Sequence, residues 1–427
     1  MNEKTLRGCY HMKKSVLALF LIGILAFSVV ASGCIGKEET AKTSAGKIAI
    51  VYDVGGRGDL SFNDMAYLGA SRAAKDFNLK LVELQSNTED DYVRNLETLA
   101  QQGDYLVIVA VGFMMTDAVK KVAAEYPNQH FAIIDGFDPE MPDNVMMILF
   151  KENEGSALVG ALAALITANS GKDKVGIVLG MEIPPLYKFE GGYRFGVAWA
   201  RDYYKQKTGK DVDIDVLYQY TGTFNDPAKG YQAAKAQLGQ GAWVIYQVAG
   251  GTGVGVFQAV EEYLKAHNQK MGPPYAIGVD SAQEWIKPGA IIASMMKRVD
   301  VGVYSAVKAA VEGTFKGGVV ELGLKENGVG MSSVDDVMAI FDSLPEDTQK
   351  QKLKELGFNS KEELKKYLED TRKQVPDWIW QAVDELKQKI INGEIVVPKA
   401  FNKEQIEAIR KAKTWQEMEE LAKKWAS

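Results

Sequence analysis

The sequence predicts an α/β protein of two lobes, each built on a parallel β-sheet flanked by helices. From residue 47 onward, short apolar runs rich in β-branched residues alternate with amphipathic runs, a pattern typical of βαβ units. The alternation falls into two successive series, residues 47–150 and 151–289, which indicates two similar lobes with a cleft between them. Several strands end in glycine-rich or acidic loops, and ligands of parallel sheets bind at that end of the strands.

The N-terminal residues have the features of an export signal. Two lysines precede an apolar run over residues 15–30, and small residues then lead to Cys34. This order is typical of a signal peptide, and the position of Cys34 matches a lipobox, in which the cysteine is acylated and becomes the mature N-terminus. We therefore predict a lipoprotein signal peptide over residues 1–33, with translation starting at Met1 or Met12. A transmembrane anchor is the alternative, but the run is shorter than the ~20 residues that a span needs.

The composition of the chain limits its partners. Residues 34–46 are small and polar and are predicted to form a flexible tether. Both cysteines, Cys9 and Cys34, precede the predicted lobes, so a disulfide framework or a zinc-finger spacing is excluded there, and neither metal nor cofactor is expected. A formal net charge of −6 with interspersed signs argues against nucleic acid as a partner.

The first series begins with the strand–loop–helix unit around which the cleft is predicted. The apolar run 47–51 leads to Asp53, a glycine-rich loop follows, and a helical pattern starts near Phe62. Phe62 offers an aromatic face beside Asn63, whose amide both donates and accepts hydrogen bonds. The loop lacks the glycine spacing of a dinucleotide site. A glycine turn closed by a packed phenylalanine is the alternative to a ligand site.

The remaining elements of the two series follow in order. The further strands of the first series are predicted at residues 79–84, 105–111, 130–135 and 144–150. Those of the second series are predicted at residues 174–179, 212–218, 243–248 and 275–280. The later helices are predicted at residues 90–102, 115–126, 152–168, 189–207, 227–239 and 253–267. This alternation predicts right-handed crossovers and sheets covered on both faces.

Loops at the strand ends of the second series also carry unusual residues. Phe224 lies in a loop that opens a helix with Asp226 as its predicted N-cap. Gly251 lies in a glycine-rich loop that lets backbone approach a ligand. Asp280 ends a strand on a carboxylate, as Asp135 does in the first series. Each residue alone has a structural explanation as a cap, a turn or a solvated acid, but their recurrence at one end of successive strands favours a ligand site.

The C-terminal part departs from the alternating pattern. Two short apolar runs, residues 317–323 and 328–330, are predicted to form a hairpin, and the charged segment that follows is predicted to be helical and away from the cleft. The predicted organisation is an N-terminal lobe of residues 47–150 and 290–315, a C-terminal lobe of residues 151–289 and 316–332, a charged helical insertion at residues 333–373, and a C-terminal helical segment, residues 374–427, packed on the C-terminal lobe.

Seven segments in a fixed order carry a resemblance to a known family. They are Asp59-Leu-Ser-Phe-Asn63, Ile133-Ile-Asp135, Thr223-Phe-Asn-Asp-Pro227, Gly250-Gly-Thr-Gly253, Ile277-Gly-Val-Asp280, Met295-Met-Lys-Arg-Val-Asp300 and Gly393-Glu-Ile-Val-Val-Pro398. With them the chain resembles the basic membrane lipoprotein family, nucleoside-binding lipoproteins that serve ABC importers and share the type I periplasmic-binding-protein fold. The charged insertion and residues 402–427 depart from that family's pattern.

The resemblance implies how a purine base is held. The aromatic rings of Phe62 and Phe224 stack on the two faces of the base. Loss of one such ring weakens binding by ~1–3 kcal/mol. Asn63 and Asp135 hydrogen-bond the edge of the base. The aromatic faces and polar groups quoted above are of the kinds that this binding mode needs.

The resemblance likewise implies how a ribose is held. Asp280 and Lys297 bind the sugar hydroxyls, with Lys297 neutralising Asp280, and Gly251 lets a backbone group reach the sugar. Because buried polar groups left unpaired exclude ligands that lack the matching hydroxyl, such a site is selective. The predicted ligand-binding residues are Asp53, Phe62, Asn63, Asp135, Phe224, Gly251, Asp280 and Lys297.

The resemblance also implies the partners and the cellular location of the protein. An ABC permease and ATPase are the expected membrane partners, and the protein is expected to be a monomer held by Cys34 at the extracytoplasmic face of the cell membrane. An enzyme is disfavoured, because the three histidines lie outside the strand-end loops and the lobes have no cysteine nucleophile. A sugar or autoinducer receptor on the same fold, or a surface sensor, remains open, because a fold does not fix its ligand.

Overall fold

The computed structural model of the protein describes residues 45–426. The predicted signal peptide, Cys34 and the tether up to residue 44 lie outside the described residues. The strands of the described part are β1 (Lys47–Tyr52), β2 (Lys80–Gln85), β3 (Tyr105–Val111), β4 (Phe131–Ile134), β5 (Val145–Phe150), β6 (Lys174–Leu179), β7 (Asp215–Tyr220), β8 (Val244–Val248), β9 (Tyr275–Asp280), β10 (Ile291–Lys297), β11 (Gly318–Leu322) and β12 (Val329–Met331).

These strands form two six-stranded sheets. The first has the order β11-β5-β4-β3-β1-β2 and all its pairs are parallel. The second has the order β12-β10-β9-β8-β6-β7, and only the edge strand β12 runs antiparallel to its neighbour. The central strands are almost entirely buried, as expected for parallel strands covered on both faces. The predicted α/β class with two parallel sheets is confirmed.

Helices cover both faces of each sheet. Helices α1, α2, α3 and α8 contact the first sheet and form the first lobe with it. Helices α4, α6 and α7 contact the second sheet, α5 packs along α4, and these four helices form the second lobe with that sheet. The helices are α1 (Phe62–Asp76), α2 (Asp91–Ala100), α3 (Thr116–Glu125), α4 (Glu152–Asn169), α5 (Pro184–Thr208), α6 (Pro227–Gly239), α7 (Gly253–Ala266), α8 (Val299–Val311), α9 (Val334–Ser343), α10 (Glu346–Leu356), α11 (Lys361–Arg372), α12 (Asp377–Ile391), α13 (Lys403–Lys411) and α14 (Trp415–Ala426).

The points where the chain changes lobe differ from the predicted boundaries. Strand β10, predicted within the N-terminal lobe, pairs with β9 in the second sheet, and α8 then packs on the first sheet. The predicted hairpin is wrong: β11 pairs with β5 in the first sheet, whereas β12 returns to β10 in the second. Two short apolar runs around a turn carry no information about which sheet each run joins.

Helices α4 and α5 pack backbone to backbone across the second lobe. At Gly192 on α5, a Cβ atom would lie 2.1 Å from the carbonyl oxygen of Asn153 on α4, so only glycine allows this approach. The close packing brings Glu152, the first residue of α4, beside Lys188 on α5, with 2.6 Å between carboxylate and ammonium. Glu152 also contacts Lys297, which lines the cleft, over 2.9 Å.

The C-terminal helices cover the second lobe. Helix α12 packs on α4, while α13 and α14 pack on α5. Arg410 of α13 lies 2.7 Å from the fully buried Glu190 of α5. This ion pair joins the C-terminal helix α13 to the second lobe. Among residues 45–426, none of the helices combines the length and the apolarity that crossing a bilayer requires.

The charged insertion, residues 333–373, packs on the second lobe through a stripe of apolar residues. Phe341 of α9 and Leu364 of α11 form one buried cluster with Trp285 and Met296 of the second lobe. Leu60, in the loop before α1 of the first lobe, packs against the same cluster. The apolar stripe of the segment covers the loop that follows β9, but none of its residues lines the pocket described below. That the segment can be deleted with little effect on ligand affinity stays a prediction.

Candidate ligand-binding site

A pocket lies between the carboxyl ends of the two sheets and is lined from both lobes. The predicted residues that line it are Asp53, Phe62, Asn63, Asp135, Phe224, Asp280 and Lys297. Gly251 does not line it; its neighbour Gly250 does, and a Cβ atom at Gly251 would lie 3.2 Å from the carbonyl oxygen of Phe224. Gly251 therefore lies against the backbone of the loop that carries Phe224, and its predicted approach to the sugar stays a prediction.

The loop between β1 and α1 is held by a carboxylate to which the sequence analysis gave no role. Asp59 accepts hydrogen bonds from the backbone N–H groups of Ser61 (2.9 Å), Asn63 (2.9 Å) and Asp64 (3.2 Å), and thereby caps the first turn of α1. Burial raises the pKa of Asp59 to about 7. An acidic residue just ahead of a helical pattern is a capping signal that could have identified it.

The side chain of Asn63 is fixed by two carboxylates. Its Nδ2 lies 3.0 Å from Oδ1 of Asp53 and 3.1 Å from Oδ2 of Asp59. The other end of the amide, Oδ1, is buried and accepts no hydrogen bond from the described residues, and the same holds for Oδ1 of Asp135. Buried polar atoms normally have partners, so unpaired acceptors on a pocket wall indicate where a ligand donates.

A buried network of charges forms one wall. Lys297, 1% exposed, lies 2.5 Å from Asp135 and 2.9 Å from Glu152, and Glu152 also pairs with Lys188. Burial alone would lower the pKa of Lys297, but Asp135 and Glu152 raise it overall, so the ammonium stays charged. The predicted pairing of Lys297 with Asp280 is thus replaced by ion pairs to Asp135 and Glu152. Sequence reasoning missed Glu152 because an acid at a helix start is ordinary.

Asp280 also lines the pocket, and it links the two lobes. Its Oδ2 accepts a hydrogen bond of 2.6 Å from the hydroxyl of Ser61 in the first lobe. Burial raises the pKa of Asp280 to about 6. The backbone of Asp280 has φ +63° and that of Asp135 has φ +66°, so both strand-end acids adopt the left-handed region. Strained backbone of this kind is concentrated at functional sites.

Further contacts hold the lobes together around the pocket. Gln283 donates to the carbonyl oxygen of Leu60 over 2.8 Å, and Asn225 donates to that of Val54 over 3.3 Å. Each of these bonds joins a loop of the second lobe to the loop between β1 and α1. The cleft is closed in this structure.

Apolar groups form the rest of the lining. Phe62 faces the charged wall, with its ring centre 5.1 Å from Nζ of Lys297, and Phe224 packs on Gly180, where a Cβ atom would lie 2.2 Å from the ring. Sequence reasoning missed several of the apolar lining residues, namely Phe113, Met114, Ile183, Pro185, Leu186 and Phe189. Nothing separates such residues from ordinary core residues in a single sequence.

The pocket suits binding better than chemistry. Its described lining contains one cation, Lys297, and that ammonium is already paired with two carboxylates, so no free positive charge faces a phosphate. Over residues 45–426, no group of three or more histidine, cysteine or acidic side chains is arranged to hold a metal ion. The site therefore fits an uncharged, donor-rich small molecule with a flat apolar part.

A closed cleft between two covered parallel sheets, lined from both lobes, defines a two-lobed solute-binding protein. A crystal structure of an ABC transporter solute-binding protein from Aeropyrum pernix shares this architecture. It is 39% identical in sequence, matches with a TM-score of 0.77, and the match covers 87% of this chain and 99% of that chain.

The family follows from sequence comparison. The family model described as ABC transporter substrate-binding protein PnrA-like (Bmp) matches residues 47–401. A lipoprotein of Pyrococcus abyssi is 44% identical over 400 residues, 93% of this chain and 95% of the relative. The ABC transporter nucleoside-binding protein BmpA of Lactococcus lactis is 32% identical over 353 residues, 78% of this chain and 95% of the relative. The chain belongs to the PnrA-like family of ABC transporter substrate-binding proteins.

Membership confirms the predicted family and settles the class of activity. The protein is a solute-binding component of an ABC transporter rather than an enzyme. Its partners are accordingly a small ligand and the membrane permease and ATPase of such a transporter.

Proposed function

We propose that the protein captures a purine nucleoside in the cleft and presents it to the transporter for import. The observation that carries the proposal is the combination of aromatic and acceptor groups in one closed pocket: Phe62 and Phe224 on its walls, with Asn63, Asp135 and Asp280 beside them. Aromatic faces stack on any base, and carboxylates accept hydrogen bonds from neighbouring sugar hydroxyls. The relative from Lactococcus lactis is named a nucleoside-binding protein, which supports the same ligand class.

The proposal favours a nucleoside over a free sugar or a nucleotide. A sugar receptor would also use carboxylates, but a ribose alone leaves the apolar part of the lining without a partner. A nucleotide would bring a phosphate to a wall whose one cation is already paired. A sugar or autoinducer receptor is therefore the alternative outcome of the test below.

Calorimetry with adenosine, guanosine, inosine and ribose tests the ligand class. Ligand carried through purification is first removed by unfolding and refolding, and identified by mass spectrometry. We expect the nucleosides to bind and ribose to bind far more weakly. Phe62→Ala is expected to weaken adenosine binding about 5- to 150-fold, the equivalent of ~1–3 kcal/mol for one lost stacking partner.

The matched control for that variant is Phe401→Ala. Phe401 is a phenylalanine of the last part of the chain, 52% exposed and outside the pocket lining, so its loss should leave adenosine binding unchanged. If ribose binds as tightly as adenosine, or if Phe62→Ala binds adenosine as tightly as Phe401→Ala does, no base is stacked. The protein is then a sugar receptor and the nucleoside proposal is wrong.

We further propose that the protein is a monomeric lipoprotein anchored through Cys34 at the extracytoplasmic face of the cell membrane. The relatives from Pyrococcus are named lipoproteins, which supports the anchor. Replacing Cys34 with serine removes the thiol that is acylated, so we expect the variant to move from the membrane to the soluble fraction. Retention of the variant on carbonate-washed membranes would contradict the anchor, and fractionation followed by immunoblotting measures it.

A further inference from the structure

Two fully buried glutamines, Gln247 of β8 and Gln283 of the loop after β9, form a chain of hydrogen bonds that crosses between the lobes. Nε2 of Gln247 donates to Oε1 of Gln283 over 2.8 Å. Nε2 of Gln283 in turn donates to the carbonyl oxygen of Leu60 in the first lobe, also over 2.8 Å. Neither glutamine is among the residues that line the pocket. The chain therefore joins the lobes from outside the ligand site.

Backbone N–H groups determine which way each amide points. The N–H of Ala249 donates to Oε1 of Gln247 over 3.1 Å, and the N–H of Val279 donates to Oε1 of Gln283 over 2.8 Å. A backbone N–H group only donates, so reversal of either amide would place two donors against each other. Bonds that lie entirely within the second lobe thus direct the donating end of Gln283 at the first lobe.

Two glycines make room for the glutamine side chains. A Cβ atom at Gly253 would collide with the amide of Gln247, and one at Gly278 would lie 2.7 Å from Oε1 of Gln283. Neither glycine lines the pocket, although each belongs to one of the segments that carry the family resemblance. Close approach of a buried side chain is a reason for glycine at both positions.

The glutamine chain is attached to the parts of the second lobe that a ligand contacts. Val279 lines the pocket, and Ala249 lies between two residues that line it. On the other side of the cleft, the acceptor Leu60 has φ +54°, a left-handed conformation that is strained for leucine. A ligand that holds these strand ends in place therefore also holds the donor that the first lobe meets when the cleft closes.

We propose that Gln283 is a positioning residue for closure of the cleft, and that Gln247 holds it in the orientation that the first lobe requires. Because the donor is preorganised within one lobe, closure gains the bond to Leu60 without the cost of ordering the side chain. The bond favours the closed state over the open one whatever the ligand is. Gln283 thus sets how long a ligand stays bound and not which ligand is chosen. The inference rests on the proposed function only for adenosine as the probe.

Stopped-flow tryptophan fluorescence with adenosine and 2′-deoxyadenosine tests the inference on the full protein. Gln283→Met keeps the length of the side chain and removes its donor and its acceptor. We expect adenosine to be released about tenfold faster, the effect of one lost hydrogen bond, with an association rate changed less than about twofold. Release of 2′-deoxyadenosine should accelerate by the same factor, because closure does not distinguish the two ligands.

The matched control is Gln237→Met. Gln237 of α6 is also a buried glutamine of the second lobe, but it donates to the carbonyl oxygen of Ile177 in the same lobe, over 3.0 Å. Its replacement is expected to lower the melting temperature as Gln283→Met does and to leave both rates unchanged. A difference in release rate between the two variants therefore reports closure and not a general loss of stability.

Two substitutions of Gln247 test whether it orients Gln283. In Gln247→Glu, the introduced carboxylate faces Oε1 of Gln283 with a second acceptor, so Gln283 is expected to reverse and turn its own oxygen toward the carbonyl of Leu60. In Gln247→Met, the N–H of Val279 still holds Gln283 in place. Release of adenosine should accordingly be faster in Gln247→Glu than in Gln247→Met. Should Gln247→Glu fail to fold by circular dichroism, the comparison of Gln283→Met with Gln237→Met decides.

The outcomes separate the inference from the proposed function. Equal release rates in Gln283→Met and Gln237→Met overturn the role of Gln283, and so does a change in the preference between the two ligands. Equal rates in the two Gln247 variants overturn the orienting role. If adenosine does not bind the wild type, the proposed function is wrong. X-ray scattering of the proteins as purified then tests closure: Gln283→Met should have a larger radius of gyration than Gln237→Met, and equal radii overturn the inference.

Discussion

Replacing Lys297 with methionine is expected to remove about 3–5 kcal/mol from the free energy of unfolding and to abolish measurable nucleoside binding. The ammonium lies between the carboxylates of Asp135 and Glu152 in a fully buried wall. Methionine keeps the volume but leaves Asp135 as an uncompensated buried charge, while Glu152 retains Lys188. Equilibrium unfolding in denaturant gives the stability, and calorimetry gives the binding.

Two further variants show whether the charge imbalance is the cause. The double variant Lys297→Met with Asp135→Asn has no unpaired charge, so we expect most of the stability to return while binding stays lost. Lys120→Met removes a lysine from an exposed ion-pair cluster with Asp138 and is expected to cost less than about 1 kcal/mol. If the single and double variants are equally unstable, burial of the charge is not what makes Lys297 necessary.

Asp280→Asn is expected to weaken ribonucleoside binding about 10- to 150-fold and to leave 2′-deoxyadenosine binding nearly unchanged. A hydrogen bond to a charged group contributes ~1.5–3 kcal/mol, and the deoxynucleoside lacks the hydroxyl that makes it. The matched control is Ser61→Ala, which removes the donor that joins Asp280 to the first lobe. That control should weaken adenosine and 2′-deoxyadenosine alike, because it affects closure rather than recognition of the sugar.

The pH dependence of ligand binding provides a second test of the role of the Asp280 carboxylate. Burial raises its pKa to about 6, so the accepting carboxylate predominates above that pH and is lost below it. Affinity for adenosine is therefore expected to fall as the pH falls through about 6 in the wild type, and Asp280→Asn should lack this part of the profile. An identical profile in both proteins would assign the titration to another group, such as Asp59.

The sequence was sufficient to predict the two sheets because parallel strands are continuous apolar runs. The four inner strands of each sheet stand out in this way, whereas the edge strands β2 and β7 are only partly buried and mix polar with apolar residues. The edges were harder. Strand β11 is mostly exposed and β12 has three residues, so neither has the apolar continuity that identifies a strand, and their pairing is decided by contacts between distant segments.

The sequence predicted the polar residues that follow directly after strands. It did not predict ion-pair partners that belong to other elements of the fold. Asp135 and Asp280 occupy the same position in the two series, and both reach the pocket. Lys297 was predicted to neutralise Asp280, and its charge does act on that carboxylate, but its direct ion pairs are with Asp135 and Glu152. The pair with Glu152 was missed because it depends on how closely α4 packs against α5. Packing distances of this kind depend on the whole structure, and local sequence does not encode them.

The left-handed backbone at Asp135 and Asp280 limits how the ligand preference of this protein can evolve. Beyond glycine, only asparagine and aspartate adopt φ near +65° readily, and other side chains add strain of ~1–3 kcal/mol. Serine, threonine, glutamate or glutamine is therefore a costly mutational step at either position. Exchange among aspartate, asparagine and glycine is the inexpensive route at these two positions, whereas Met114, Ile183 and Leu186 in the apolar wall can change size at ordinary backbone angles. The two strand-end positions therefore accept far fewer residue types than the apolar part of the same pocket.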